Sequence, residues 1–133
     1  MSVDQATYLD SSAIVKLVVA EAESAALRRY LRRRAPLVSS ALARTEVGRA
    51  VAPLGPDAAR RGVEVLARLD LLRVSDRVLK VAARLLPVEL RSLDAIHLAT
   101  AQQLGASLAH VVTYDETMAA AARTLGWTVV APS

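Results

Sequence analysis

Four acidic side chains lie beside short apolar segments, where burial of an isolated carboxylate is unfavourable. Asp10 and Asp115 each follow an apolar segment and precede a helical pattern, whereas Glu46 and Asp94 fall inside helical patterns. Carboxylates that share a pocket repel one another unless something positive lies among them. If the fold gathers these four, the sequence predicts a site for a divalent cation held by oxygen ligands, as magnesium is.

Two of the four acids have an ordinary structural explanation as helix caps. Aspartate is a preferred N-cap residue, so capping accounts for Asp10 and Asp115 as well as catalysis does. Ser11 and Ser12 are also suitable caps for the first helix, which leaves Asp10 available for another role. The position of the strand-end aspartates therefore indicates a site without proving one.

The other two acids also have structural explanations. Asp94 falls in the first turn of a helix that Ser92 is expected to cap, and an acid is favourable near the positive end of a helix. Glu46 has Arg44 and Arg49 close by for an exposed ion pair, which would contribute about 0.2–0.5 kcal/mol. Glu46 would attract no notice alone.

The helical face that carries Asp94 is otherwise apolar. Leu98 and Ala101 share that face, so the acid is expected beside the core, where an unpaired carboxylate is costly. His97 lies three residues beyond Asp94 and near the same face. A lone histidine of this kind is more often a core or supporting residue than a ligand, and we do not assign it to the site.

The elements that must position these acids alternate between short apolar runs and helical patterns. The predicted strands are residues 6–9, 37–39, 71–74, 111–113 and 128–130, and the predicted helices are residues 12–19, 24–33, 41–51, 58–69, 77–86, 93–104 and 117–125. Strands joined through helices pair in parallel by right-handed crossovers, so the pattern predicts an α/β sandwich. Such sheets bind ligands at the carboxyl ends of their strands, where Asp10 and Asp115 stand.

Length and composition limit the possible classes of protein. The 133 residues, of which 53% are hydrophobic, are expected to form a single domain over residues 1–133. The absence of cysteine fits a reducing compartment and excludes thiolate zinc sites. No basic residue precedes Lys16, and the longest charge-free stretch, residues 95–114, is broken by glutamines and Gly105, so neither a signal peptide nor a membrane helix is expected. We expect a cytoplasmic protein without membrane contact.

In order and spacing, four segments resemble the acidic motifs of the PIN-domain ribonucleases, and most closely the VapC-like toxins of bacterial type II toxin-antitoxin pairs. These segments are YLDSSAIVKL, ARTEVGRA, LRSLDAIHLATA and VVTYDETMAAAARTLGW, and the likeness extends over residues 8–130. The resemblance implies a PIN-like three-layer sandwich with a mostly parallel central sheet of about five strands. It also implies a metal-dependent endoribonuclease whose four acids fall on Asp10, Glu46, Asp94 and Asp115.

The resemblance implies a division of roles among these residues. Mg²⁺ or Mn²⁺ would be held by the four acids, with Asp10 and Asp94 as the first choices for direct ligands. Glu46 and Asp115 would bind the metal through water or accept a proton. The accessory positions are the small hydroxyls and the possible substitute for the fourth acid, namely Ser11, Ser12, Thr113 and Glu116.

By resemblance the substrate is RNA, which is cut to leave a 5′-phosphate and a 3′-hydroxyl, and the partners are a cognate VapB-like antitoxin and a second copy of the chain. Arg44 and Arg91 flank acidic motifs and are candidates for positioning RNA, although each can instead pair with an acid. The apolar faces within residues 13–19 and 27–31 are candidates for antitoxin contacts or are simply core. Five arginines in residues 27–34 suit RNA phosphates, and they also suit the negative end of a helix.

Other interpretations stay open at this point. A catalytically silent PIN-like module that binds RNA or protein would share the fold, although retention of all four acids disfavours it. A receiver or phosphatase also has a strand-end aspartate, but no D-x-D pair follows the first apolar run. No P-loop, dinucleotide-binding glycine fingerprint or H-E-x-x-H zinc motif occurs in the sequence.

Overall fold

The computed structural model describes residues 5–133, so the first four residues of the predicted domain lie outside the described part. The strands of the described part are β1 (Ala6–Leu9), β2 (Leu37–Ser40), β3 (Asp70–Leu72), β4 (Leu108–Val112) and β5 (Val129–Val130). Its helices are α1 (Ser11–Val18), α2 (Ser24–Leu31), α3 (Ala43–Val51), α4 (Pro56–Leu66), α5 (Asp76–Ala82), α6 (Ser92–Gln102) and α7 (Glu116–Thr124). Short 3-10 turns cover Ala52–Leu54 and Gly105–Ser107.

The strands form one parallel sheet in the order β3-β2-β1-β4-β5. This arrangement confirms the predicted α/β sandwich. Because β1 lies in the centre and pairs with β4, the carboxyl ends of these two strands are neighbours, with Leu9 opposite Val112. The backbone N–H of Asp10 continues the ladder by donating to the Val112 carbonyl. The edge where ligands of such sheets bind is therefore built around residues 10 and 113.

Alternate residues of the strands supply two hydrophobic cores, one on each face of the sheet. Leu9 and Val112 pack on the face covered by α1, α2, α3 and α4, whereas Tyr8 and Val111 pack on the face covered by α6 and α7. This two-residue period is the expected consequence of pleating. Both faces of β1 are buried, which explains why its sequence is apolar throughout apart from one threonine.

The predicted boundaries differ from the observed ones where local signals were ambiguous. The strand predicted at 71–74 lies at Asp70–Leu72, and β4 begins at Leu108, three residues before the predicted start. The helix predicted to reach residue 86 ends at Ala82. Pro87 disfavours helical backbone at residue 86, which agrees with the shorter helix but does not fix its end. Within residues 5–133, no helix is long and apolar enough to cross a bilayer.

Candidate functional site

Asp10 lies at the junction of β1 and α1 and is almost completely enclosed, with 4% of its surface exposed. Its Oδ1 accepts hydrogen bonds from Ser12 Oγ at 2.6 Å and from the Ala13 N–H at 3.0 Å, and its Oδ2 accepts one from Thr113 Oγ1 at 2.5 Å. Burial raises the pKa of the Asp10 carboxyl, although these three hydrogen bonds oppose the rise. Asp10 is thus a buried acid whose negative charge is stabilised by hydrogen-bond donors from α1 and from Thr113, the residue that follows β4.

The same geometry corrects an expectation about the cap of α1. Asp10 itself is the N-cap, because its extended backbone directs the carboxylate to the Ala13 N–H. Ser11 is already the first helical residue, and the Ser12 hydroxyl serves the carboxylate by donating to it. The serines therefore do not relieve Asp10 of the capping role; capping and membership of an acidic site coexist in one residue.

Asp115 holds the equivalent place between β4 and α7. Its Oδ1 accepts from the Met118 N–H at 2.9 Å, which makes it the N-cap of α7, as its sequence position predicts. The Asp115 N–H donates to Thr113 Oγ1 at 3.0 Å, and the Tyr114 N–H donates to Ser12 Oγ at 3.0 Å. Hydrogen bonds of Thr113 and Ser12 thus connect the segment after β1 with the segment after β4, and both side chains also donate to the Asp10 carboxylate.

Asp94 is half-buried in the first turn of α6 and lies within electrostatic reach of both strand-end aspartates. Burial raises its pKa first, and the charges of Asp115 and Asp10 raise it further, while Arg91 and His97 lower it. The expected cap is wrong here. Ser92 is the first helical residue, and Arg91 occupies the N-cap position without a side-chain hydrogen bond, because the helix begins one residue earlier than predicted.

Glu46 projects from α3 toward the same region but has different partners from those predicted. Its Oε1 accepts from Ser11 Oγ at 2.5 Å and lies 2.6 Å from Nε2 of His97. Burial alone would raise the pKa of Glu46, but the hydrogen bonds from His97 and Ser11 hold it below its ordinary value. The ion pair expected with Arg44 or Arg49 does not form, since the carboxylate turns inward to the imidazole.

His97 is the residue that sequence reasoning left out of the site. It is 2% exposed, and its two ring nitrogens face Tyr8 and Glu46. The signal for His97 was present in its three-residue spacing from Asp94 on one helical face. Tyr8 was signalled only by its place two residues before Asp10, on the same face of β1.

The accessory positions differ in how close they come to the acids. Arg91 is near enough to Asp94 to lower its pKa. Glu116 is exposed and lines an open cavity of about 440 Å³ together with Thr113, Asp115 and Arg123. Arg44 is exposed and lines a separate hollow against α4 and β3, so the structure does not bring it to the four acids.

Within residues 5–133, no three acidic or imidazole side chains converge tightly enough to hold a metal ion as they stand. Both oxygens of Asp10 and one oxygen each of Glu46 and Asp115 accept hydrogen bonds from the protein. The donor set nevertheless fits a hard divalent cation. All its ligands are carboxylates, and positive charge would relieve the repulsion that Asp94 feels from its neighbours. Magnesium in particular is held by few carboxylates and keeps several waters.

Comparison with known proteins connects this geometry to a group of related chains. The family model described as PIN domain matches residues 7–124. Ribonuclease VapC46 of Mycobacterium tuberculosis strain H37Rv is 64% identical over 128 residues, which cover 96% of this chain and 98% of the relative. Ribonuclease VapC35 of the same strain is 44% identical over 129 residues, covering 94% and 96% respectively.

A solved structure shares the fold at a greater distance in sequence. The crystal structure of Mycobacterium tuberculosis VapC20, described as a sarcin-ricin loop cleaving toxin, superposes with a TM-score of 0.73. The match covers 95% of this chain and 99% of the other, at 18% sequence identity. This likeness supports the three-layer arrangement of the sheet and helices.

Proposed function

Because the chain belongs to the PIN-domain family, among relatives named as VapC ribonucleases, we propose that it is a metal-dependent endoribonuclease toxin. The observation that carries the proposal is that Asp94 lies within electrostatic reach of Asp115 and Asp10, the acids that follow two neighbouring strands, with Glu46 hydrogen-bonded to Ser11 beside Asp10. An acid that is repelled by two others at a ligand-binding edge is explained by a cation and an anionic substrate.

The roles of the four acids follow from their surroundings. We assign Asp10 and Asp94 as direct metal ligands, since Asp10 is fixed by three hydrogen bonds and Asp94 is repelled by Asp115 and Asp10 while accepting no side-chain hydrogen bond from residues 5–133. Glu46, whose pKa is held low, stays ionised and can accept a proton from an attacking water. Asp115 completes the negative edge, with Glu116 beside it in the same cavity.

Mg²⁺ or Mn²⁺ bound at such a site would supply a more acidic water and charge neutralisation at the scissile phosphate. The side chains of this chain then have three tasks. Ser12 and Thr113 hold the Asp10 carboxylate in place. Arg91, beside Asp94, is suited to contact a phosphate of the bound RNA. Hydrolysis by water would leave a 5′-phosphate and a 3′-hydroxyl.

Restraint of this activity is expected from a cognate VapB-like antitoxin, and copies of the chain are expected to form a homodimer in the cytoplasm. The predicted antitoxin faces within residues 13–19 and 27–31 are largely taken up by the core, which buries Ile14, Val18, Leu27 and Leu31. Leu17 remains half-buried in a cavity of about 430 Å³ that Arg28 and Arg32 also line. A short reading frame for a DNA-binding antitoxin immediately upstream of the gene would support this assignment.

The test is cleavage of a defined RNA panel by purified protein, with Mn²⁺ or Mg²⁺ and with chelator. We expect cutting that requires the metal and is lost in Asp10→Asn and Asp94→Asn. Glu64→Gln, an exposed carboxylate on α4, is the matched control and should cut normally. Cleavage that persists in chelator or in D94N would overturn the proposal, and metal-independent RNA binding without cleavage would favour a catalytically silent module.

A further inference from the structure

Two buried side chains, Tyr8 and His97, form a hydrogen-bonded chain with the half-buried Glu46. The Tyr8 hydroxyl is 2.7 Å from Nδ1 of His97, and Nε2 of His97 is 2.6 Å from Oε1 of Glu46. Tyr8 and His97 are both buried, and their rings also meet edge to face with centroids 5.9 Å apart. The chain links β1, α6 and α3, so it fixes the position of Glu46 relative to the sheet.

The bonding partners determine where the protons lie. An ionised carboxylate only accepts hydrogen bonds, so Nε2 of His97 must carry the proton that faces Glu46. The Tyr8 phenol, whose pKa is raised by burial, stays protonated and donates to Nδ1. A proton on Nε2 of His97 therefore satisfies Glu46, whereas the tautomer protonated only at Nδ1 would set a nitrogen lone pair against the carboxylate.

A second donor reinforces the same oxygen of Glu46. Ser11 Oγ donates to Oε1 at 2.5 Å, while its distance to Nε2 of His97 is longer, at 3.3 Å. Both donors act on Oε1, and Oε2 accepts no hydrogen bond from the part of the chain that the structure describes. The carboxylate is thus held by one oxygen while the other stays available to a water or ligand.

We propose that His97 is a positioning residue, which holds Glu46 through Oε1 in the orientation that RNA cleavage requires. This inference rests on the proposed function and assigns to His97 no contact with RNA. Supporting hydrogen bonds of this type change activity or metal affinity by about 10–100-fold when they are removed. Tyr8 contributes to the same positioning. When its hydroxyl donates to Nδ1 of His97, the ring proton lies on Nε2, which can then donate to Glu46.

Two polar substitutions at residue 97 distinguish a role in positioning the Glu46 carboxylate from a role in packing. The amide nitrogen of glutamine can reach the place of Nε2 and donate to Glu46, whereas the shorter asparagine can satisfy only Tyr8. We expect kcat to fall by about 10–100-fold in His97→Asn with KM little changed. Most of that loss should be regained in His97→Gln, while the melting temperatures of the two variants stay similar.

The wild-type protein supplies a readout that does not involve activity. In metal-free protein at about pH 8, above the ordinary histidine range, ¹⁵N NMR should show His97 protonated at Nε2 and not at Nδ1. Protonation at Nδ1 would overturn the proposal, and so would H97N and H97Q variants with equal kcat. If wild-type protein fails to cut RNA at all, the proposed function falls and takes the role of His97 with it. Normal cutting by H97N would instead remove only the role of His97.

Discussion

Replacing Asp10 by alanine and by asparagine is expected to give two inactive proteins that differ in stability. Alanine removes the N-cap of α1, which typically costs about 1 kcal/mol. It also leaves the Ser12 hydroxyl without its acceptor, a further cost of about 1 kcal/mol for a partly buried donor. Asparagine keeps Oδ1 for both Ser12 and Ala13, whereas the bond from Thr113 to Oδ2 is lost in either variant. We therefore expect D10A to be less stable than D10N by about 2 kcal/mol.

The assay is equilibrium unfolding in urea, with chelator present, for D10A, D10N and wild type. Cap loss does not change the surface exposed on unfolding, so the three curves should share one slope against denaturant and differ in midpoint. For a chain of this length the difference corresponds to a melting temperature about 8 °C lower for D10A. A D10A protein as stable as D10N would refute the assignment of Asp10 as the cap of α1.

Wild type and D10N should also differ in their response to pH. The pKa of Asp10 is raised by burial above its ordinary 3.8, so the folded protein holds more protons than the unfolded chain between the two values. The stability of wild type relative to D10N should therefore fall as pH rises through that interval and stay low at neutral pH. A difference that grows with pH would contradict the burial of the charged carboxylate.

Four further outcomes are expected. In chelator, D94N should unfold at a higher temperature than wild type near neutral pH, because the substitution removes the repulsion of Asp94 by Asp115 and Asp10. The difference in melting temperature should shrink at acidic pH, where Asp94 of the wild type is protonated. Calorimetry across pH measures both effects. Saturating Mn²⁺ should raise the melting temperature of wild type by linkage and leave that of D94N nearly unchanged. Gly48→Ala should stabilise α3 by about 0.5–1 kcal/mol, since nothing lies within 4 Å of the added carbon. Gly55→Ala should destabilise by about 1–3 kcal/mol, since Gly55 has φ of 104° and ψ of 175°, and chemical unfolding of the two glycine variants side by side tests the sign of each.

The strand-end aspartates could be located from the sequence because their signals are local. An apolar segment, an acid and a helical pattern follow one another around both Asp10 and Asp115, and the parallel sheet brings equivalent strand ends together. The capping role of Asp115 and the arrangement of the sheet were therefore predictable. The role of Asp10 and Asp115 in catalysis remains a prediction.

The partners of Glu46 and His97 could not be found by the same means. Glu46 has arginines within one helical turn, so local spacing favoured an exposed pair, whereas the observed partner is 51 positions away in the sequence. That contact depends on how α3 and α6 pack at the end of β1, which spacing along one helix does not encode. Arg44 shows the converse case, because it is close to Glu46 in sequence but lies in a hollow with α4.

A single residue joins β1 to α1, and its carboxylate accepts hydrogen bonds from α1 and from Thr113, which follows β4. Displacing Asp10 would break its hydrogen bonds with the first turn of α1 and with Thr113, so moving this carboxylate out of the acidic edge costs free energy. Inactivating the acidic edge by a conformational change of this segment would therefore cost free energy. Control by obstruction, in which another molecule simply covers the opening, leaves the scaffold untouched and is quickly reversible.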